Sequence, residues 1–317
     1  MYHQLTSQQR SQIFAYLQDG IARKIICERV GISQSTLCRE LKRNSGRYGR
    51  YTWQLAHQKA MDRRERVCTN RRTPPWILNR ALRLLLEEDW SPRQISGYLR
   101  RQEGIFISHE RIYQEIRADE TGELRRHCRH RLKYRHHKVR KRKTAGRSLI
   151  PDRVPIHQRP AEADGTRFGD WEMDLVIGKG QKSAVLTMIE RKTNMFLQTK
   201  LPSKKPDVVA MAAWRLLLPY KAHVLTITTD NGIEFMNHRW LARAIGATVY
   251  FADPFCSGQK GAVENANKLL RQYFPKGTDF RLVEQAELDA VQAKINRRPR
   301  EKLDFSSPKV EFFKHFP

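Results

Sequence analysis

Between Arg125 and Arg147 the chain carries twelve Lys or Arg, four His and no Asp or Glu. So many like charges cannot be gathered around an apolar core, and such a stretch is disordered or extended when free. The fold must therefore be assembled from what lies on either side. Charge is uneven along the chain as well, and most of the excess of residues 1–150 lies in the tract itself. Residues 1–150 hold 34 Lys/Arg against 14 Asp/Glu, residues 151–317 hold 26 against 19, and the whole chain carries +27. A surface of that sign seeks a polyanion, and the first part reads as the main grip. An apolar fraction of 39% supports ordinary cores, and the length suggests two or three domains. The five cysteines (Cys27, Cys38, Cys68, Cys128, Cys256) form no C-x-x-C and are odd in number. That disfavours a disulfide framework and a cysteine-rich zinc site, and fits a reducing cytoplasm. No apolar signal core opens the chain and no stretch is long enough to span a bilayer, so no membrane partner is expected.

Ahead of the tract, apolar residues recur with helical spacing. Leu5 to Asp19, Ile21 to Val30 and Gln34 to Arg43 read as helices, punctuated by Gly20, Gly31 and Asn44-Ser45-Gly46, with Ser33 as N-cap of the third. Leu37 and Leu41 point inward with Ile32, leaving Gln34, Ser35, Arg39, Lys42 and Arg43 outside, with only Glu40 against that basic face. Two short helices joined by a Gly-containing turn make a helix-turn-helix, whose second member enters the major groove. The bland alternative is a small bundle with a solvated face. A second unit starts near Thr73: Ile77 to Glu88, then Arg93 to Gln102 behind Ser91-Pro92, then His109 to Arg117 behind Ser108. Arg93, His109 and Arg111 are its candidate DNA contacts, but packing or dimerisation is a stronger alternative here. In the tract itself Arg140, Lys141, Arg142 and Lys143 are suited to follow phosphates, a solubilising linker being the alternative.

Beyond residue 160 the period changes. Trp171–Ile177, Ser183–Glu190 and Met195–Leu201 read as an antiparallel meander. A helix (Asp207–Leu218), strand (Val224–Thr229), helix (Asn237–Gly246), strand (Thr248–Ala252) and helix (Gly261–Phe274) follow. A last helix, about Gln285–Asn296, leads into a basic tail. The order βββαβαβα is that of an RNase H-like domain. The expected fold class is multidomain: all-α N-terminal helix-turn-helix units over 1–68 and 73–124, a basic linker over 125–158, and an α/β RNase H-like domain with a mixed five-stranded sheet over 159–317.

Three acids in this half stand in separate segments. Alternation puts Glu172, Asp174 and Val176 on one face of the first strand and Trp171, Met173 and Leu175 on the other. Asp174, flanked by apolar neighbours, needs a charge partner; Asp170 and Glu172 are rival carboxylates. Asp230 sits where an apolar strand stops, the usual place for ligands in helix-covered sheets, although an Asp-Asn-Gly turn alone would explain it. Glu264 begins a helix whose polar side includes Lys268 and Arg271; compensation of the helix dipole is its alternative. Two strand-end carboxylates and one on a later helix can hold a pair of Mg²⁺ ions, which drives in-line attack on a phosphodiester. In so basic a chain the expected substrate is DNA.

The segments Gly169–Gly178, Thr229–Phe235 and Gly261–Gly277 resemble the three motifs of the DDE transposases of bacterial insertion sequences, closest to the insertion-sequence-thirty family. Asn296–Phe305 is similar to that family's C-terminal signature, and Ser35–Asn44 to its first helix-turn-helix. The resemblance covers almost the whole chain; Val263 and Lys268 stand where many members have Asn and Gly. It implies that Asp174, Asp230 and Glu264 are catalytic and bind two Mg²⁺ ions, with Mn²⁺ as substitute. A nicked transposon end would supply the 3′-OH that attacks target DNA. It further implies double-stranded DNA as partner (terminal inverted repeats and target), with Lys268, Arg271, Arg297 and Arg298 among the contacts. A homodimer or higher oligomer on DNA and a bacterial, nucleoid-associated, cytoplasmic setting follow. Two readings stand beside it: a catalytically silent DNA-binding repressor derived from a transposase, and a structure-specific nuclease of the same fold.

Overall fold

The computed structural model describes residues 4–46, 48–69, 73–132, 150–254 and 256–316, which fall into two compact units, residues 1–74 and 75–317. The first unit is helical: α1 (Ser7–Gln18), α2 (Arg23–Val30), α3 (Gln34–Asn44) and α4 (Trp53–Thr69). Its boundaries are written in capping chemistry. Thr6 Oγ1 accepts the Gln9 amide while the Gln9 side chain returns to the Thr6 amide, a reciprocal cap. Gly31, at φ 70°, ends α2 in a conformation that an L side chain adopts only with strain. Ser33 then caps α3 through the Thr36 amide at 3.2 Å. Ile13, Ile26, Leu37 and Ala56 are fully buried, the aliphatic ones contributing roughly 1.5–3 kcal/mol each. Within this core Arg10 Nε meets Glu40 Oε1 at 2.8 Å and Tyr51 donates to the same oxygen at 3.1 Å. Glu40 therefore points inward, contrary to its expected place on the outer face.

The second unit begins with α5 (Pro75–Glu88), α6 (Pro92–Gln102), α7 (His109–Ala118) and the single turn α8 (Glu123–Arg126). Ala81, Leu85, Ile95, Leu99, Ile112 and Ile116 form their shared core. A six-stranded sheet follows: β1 (Val154–Pro155), β2 (Asp170–Ile177), β3 (Ala184–Glu190), β4 (Phe196–Leu201), β5 (Thr226–Thr229) and β6 (Thr248–Phe251), in the order β1-β6-β5-β2-β3-β4. β2, β3 and β4 are antiparallel neighbours; β5 runs parallel to β2, and β6 to β5 and β1. The sheet is mixed, as expected, but has one strand more than the five read from sequence. The extra strand is two residues long, too short for any alternation to show. It lies at the sheet edge, where the missing amide of Pro155 is tolerated.

Helices cover both faces. α9 (Pro206–Leu217) and α10 (His238–Ile245) pack on Trp171, Met173, Leu175, Ile227 and Val249. α11 (Gly261–Tyr273) and α12 (Gln285–Arg297) pack on Val176, Val185, Ile189 and Phe196. The stretch after α12, read as a basic tail, instead folds back. It forms α13 (Pro308–Phe313), whose Phe312 is fully buried beside Trp171 and Tyr220. On the way, the Phe305 ring lies so near Gly97 of α6 that a Cβ there would come within 2.0 Å of it. Only glycine allows that approach. Asp89 ties α5–α8 to the sheet domain: its carboxylate meets His127 Nδ1 at 2.7 Å, Lys294 Nζ at 3.2 Å and the Tyr273 hydroxyl at 3.2 Å. Among the described residues no helix is long and apolar enough to cross a membrane.

Candidate active site

β2 presents Asp170, Glu172 and Asp174 in alternation, and their surroundings separate them. Asp170 is fully buried and held by Arg167 (Nη2, 2.8 Å) and the Thr226 hydroxyl (2.6 Å) on the neighbouring strand. Glu172 accepts from Arg191 Nε at 3.0 Å and from the Val263 amide, in the first turn of α11, at 2.9 Å. Burial pushes the Glu172 carboxyl up, with the Val263 amide and Arg191 pulling it back. Both rival carboxylates are thus engaged by a guanidinium of their own. Glu172 also docks α11 against the sheet.

Asp174 has no arginine. Its Oδ1 lies 3.3 Å from Lys260 Nζ, and its Oδ2 accepts from Asn267 Nδ2 at 2.8 Å. Asp230, just past the end of β5, sends Oδ2 to the same ammonium at 3.0 Å while Oδ1 accepts the Gly232 amide at 3.0 Å. The adjacent Asn231 is fastened between Arg153 and the Ala252 carbonyl, which fixes the turn. Two carboxylates from neighbouring parallel strands therefore share one cation. Lys260 is only 5% exposed. Burial works against its charge, but Asp174 and Asp230 outweigh that and hold it above the ordinary lysine value. Asp174 is raised, first by burial and then by Asp230, with Lys260 opposing.

Glu264 is half-buried on α11, with no hydrogen-bond or ion-pair partner among the described residues. It does not join the two aspartates: among the described residues no three His, Cys, Asp or Glu side chains gather closely enough to hold a metal ion. The donor chemistry nevertheless fits a divalent cation of the magnesium kind. The ligands are hard oxygens, a single positive charge already bridges two of them, and the buried Asn267 Oδ1 beside Asp174 has no partner.

The candidate DNA contacts divide. In α3, Gln34, Ser35, Arg39, Lys42 and Arg43 are all exposed. With Glu40 turned inward, this face is more basic than the sequence suggested. Arg63 and Arg64 of α4 line the same groove as Arg39 and Arg43; they were missed because α4 was not read as a separate helix. In the second unit, His109 is exposed, but Arg93 is ion-paired with Glu301 and Arg111 with Glu115. Lys268 is exposed on α11. Arg271 is spent on the carbonyls of Ile177, Phe274 and Pro275. Arg297 is exposed, with Glu88 at 3.3 Å, whereas Arg298 is buried. Arg140, Lys141, Arg142 and Lys143 lie outside the described residues. Lys260 was not singled out from sequence: nothing marks it among the many basic residues of this half.

Residues 166–256 match the model of the Integrase core domain family, a span that contains Asp174 and Asp230 and stops short of Glu264. The chain is 38% identical to the transposase for insertion sequence element IS4351 of Bacteroides fragilis, over 98% of this chain and 96% of that one. It is 37% identical to the transposase for IS1086 of Cupriavidus metallidurans, over 97% and 93%. It is 35% identical to transposase InsI for IS30A of Escherichia coli, over 96% and 82%. The chain belongs to the IS30-type insertion-sequence transposases. These DDE transposases are DNA-cleaving and strand-transferring enzymes that depend on divalent metal, with an integrase core of RNase H-like fold. The α/β half described above is that core, and DNA is the family's partner.

Proposed function

We propose that the chain binds the terminal inverted repeats of its insertion sequence and uses Asp174, Asp230 and Glu264 to cleave DNA and transfer its strands with two Mg²⁺ ions, Mn²⁺ substituting. The observation that carries this reading is the shared cation, Lys260 at 3.3 Å from Asp174 and 3.0 Å from Asp230. Adjacent carboxylates that converge on one ammonium would offer a divalent cation two hard-oxygen donors in its place. When bound, the ions supply Lewis-acid stabilisation of the phosphodiester and a nucleophilic oxygen at neutral pH. The chain's own residues prepare for this. Asn267 orients Asp174, the Gly232 amide orients Asp230, and Glu172 sets the start of α11 and with it Glu264. Lys260 balances the two aspartates in the absence of metal and must withdraw for their oxygens to ligate.

The exposed face of α3 is the proposed reader of bases, with Arg63 and Arg64 on phosphates beside it. Two ends must be brought together for joining, so the working form is a homodimer or higher oligomer on DNA, associated with the bacterial nucleoid. Asp174, Asp230 and Glu264 changed singly to Ala should lose nicking and strand transfer on a labelled terminal repeat while retaining end binding. Ca²⁺, which coordinates loosely, should support binding without chemistry. Near-normal nicking by the Asp230 variant would overturn the triad. Cleavage without strand transfer would favour a structure-specific nuclease, and end binding without either reaction a repressor.

A further inference from the structure

Three arginines meet in a cavity of about 340 Å³ walled by the start of α6, by α11 and by the segment after α12. They are Arg129, Arg298 and Arg300. Each has a buried Nε with no hydrogen-bond partner. Their remaining bonds go to neutral groups. Arg129 donates to Asn265 Oδ1 at 3.0 Å, and Arg298 to Gln272 Oε1 at 3.3 Å and the Tyr273 hydroxyl at 2.9 Å. Arg300 donates to the Ile295 carbonyl at 3.3 Å. No carboxylate among the described residues lies in ion-pair range of any of the three. The two acids in the wall are engaged elsewhere: Glu301 with Arg93 at 2.5 Å, and Asp89 with Lys294 and His127, reaching Arg298 only through the Tyr273 hydroxyl. The residues outside the described part contain no Asp or Glu.

A buried charge is tolerated when it is paired; Arg298 is buried and Arg129 and Arg300 are half-buried, and none of the three is ion-paired among the described residues. They oppose one another: burial first, and then the charges of Arg298 and Arg129, push the Arg300 guanidinium well below its ordinary value, and Arg298 adds to the lowering of Arg129. Gly261 and Ala262, at the amino end of α11, lie in the same wall, where the helix dipole adds positive potential. Guanidinium forks match the oxygens of a phosphate.

We propose that this cavity is a phosphate-binding site, built around Arg129, Arg298 and Arg300 and separate from the Asp174–Asp230 centre. Its occupant is a phosphate oxyanion, from either the backbone of bound DNA or a free phosphate ion. The phosphate arm of the test does not depend on the catalytic reading; the DNA arm rests on it.

Full-length protein is melted in sodium phosphate and in sodium chloride of equal ionic strength. The parent should melt about 2–4 °C higher in phosphate. Arg129→Gln and Arg300→Gln should lose that rise. In chloride they should be at least as stable as the parent, because a repelling charge has gone. Should the Gln variants fail to fold, Arg129→Lys and Arg300→Lys keep the charge without the fork and should show a smaller rise. Asp174→Asn should keep the full rise, which separates failure here from failure of the active-site reading. A backbone phosphate as occupant predicts that Arg129→Gln makes the log-log salt slope of DNA binding shallower by about 0.9, and that saturating terminal-repeat duplex removes the phosphate effect. An unchanged slope with an additive effect assigns the site to free phosphate. An equal rise in the parent and all variants, or variants less stable in chloride that keep the rise, overturns the proposal.

Discussion

Asp174 bears two opposed demands: it must be ionised to ligate, and it sits where ionisation is costly. Burial, and then Asp230, raise its pKa above the ordinary aspartate value. A carboxyl raised on folding stabilises the folded chain below its unfolded pKa, and that contribution is lost as pH rises through the folded one. Asp174→Asn should therefore melt above the parent at pH 7, and the difference should shrink as pH falls toward the raised pKa of Asp174. Nicking by the parent should fail on acidification earlier than an unperturbed aspartate would allow. Melting curves of both proteins across pH check this, and a variant less stable at pH 7 would refute it. Lys260→Gln leaves the two aspartates facing each other. In EDTA it should be destabilised by about 1.5–3 kcal/mol, as for loss of hydrogen bonds to charged groups, and Mn²⁺ should stabilise it more than it does the parent. Equal melting in EDTA would remove the balancing role. The aspartates were legible because each stands out against apolar strand sequence. Lys260 was not, since its significance lies in the distance between two strands that only folding brings side by side.

At the scale of elements, α3 shows how one side chain's direction alters a surface. A helical projection placed Glu40 among the exterior residues, but the Arg10 guanidinium arriving from α1 draws it in. The outer face of α3 then carries Arg39, Lys42 and Arg43 with no acid among them. Arg39 now folds back on Ser35 (Nε to the Ser35 carbonyl, 3.1 Å) and must uncurl to reach a base. Arg39→Ala should relax discrimination between terminal repeat and random duplex by about 1–3 kcal/mol if it reads a guanine; an equal loss on both DNAs would make it a phosphate contact. The helices and long strands could be read from period and caps, which are local signals. The edge strand β1 and the course of residues 298–316 could not. Two residues carry no period, and the apolar Phe312 packs against Trp171 and Tyr220, both far earlier in the chain.

For the molecule as a whole, the acid-free tract remains the largest concentration of charge, and Arg140 to Lys143 lie at its densest part. Changing Arg140, Lys141, Arg142 and Lys143 together to Gln should weaken binding to specific and random DNA alike. The salt slope should become shallower by up to about 3.6 log units if each touches a separate phosphate. An unchanged slope, with sensitivity to shortening instead, would make the tract a spacer. The second helical group, by contrast, is built into the same compact unit as the sheet, through Asp89 and through the Gly97–Phe305 approach. The burial of Phe312 against Trp171 has a consequence in time. A ribosome makes the strands and the carboxylates well before residue 312, and a growing chain folds in the order in which it emerges. Until that phenylalanine clears the exit tunnel, the central strand bearing Asp174 lacks one of its packing neighbours. Prematurely terminated translation products, even those carrying every proposed ligand, should be poor at cutting DNA.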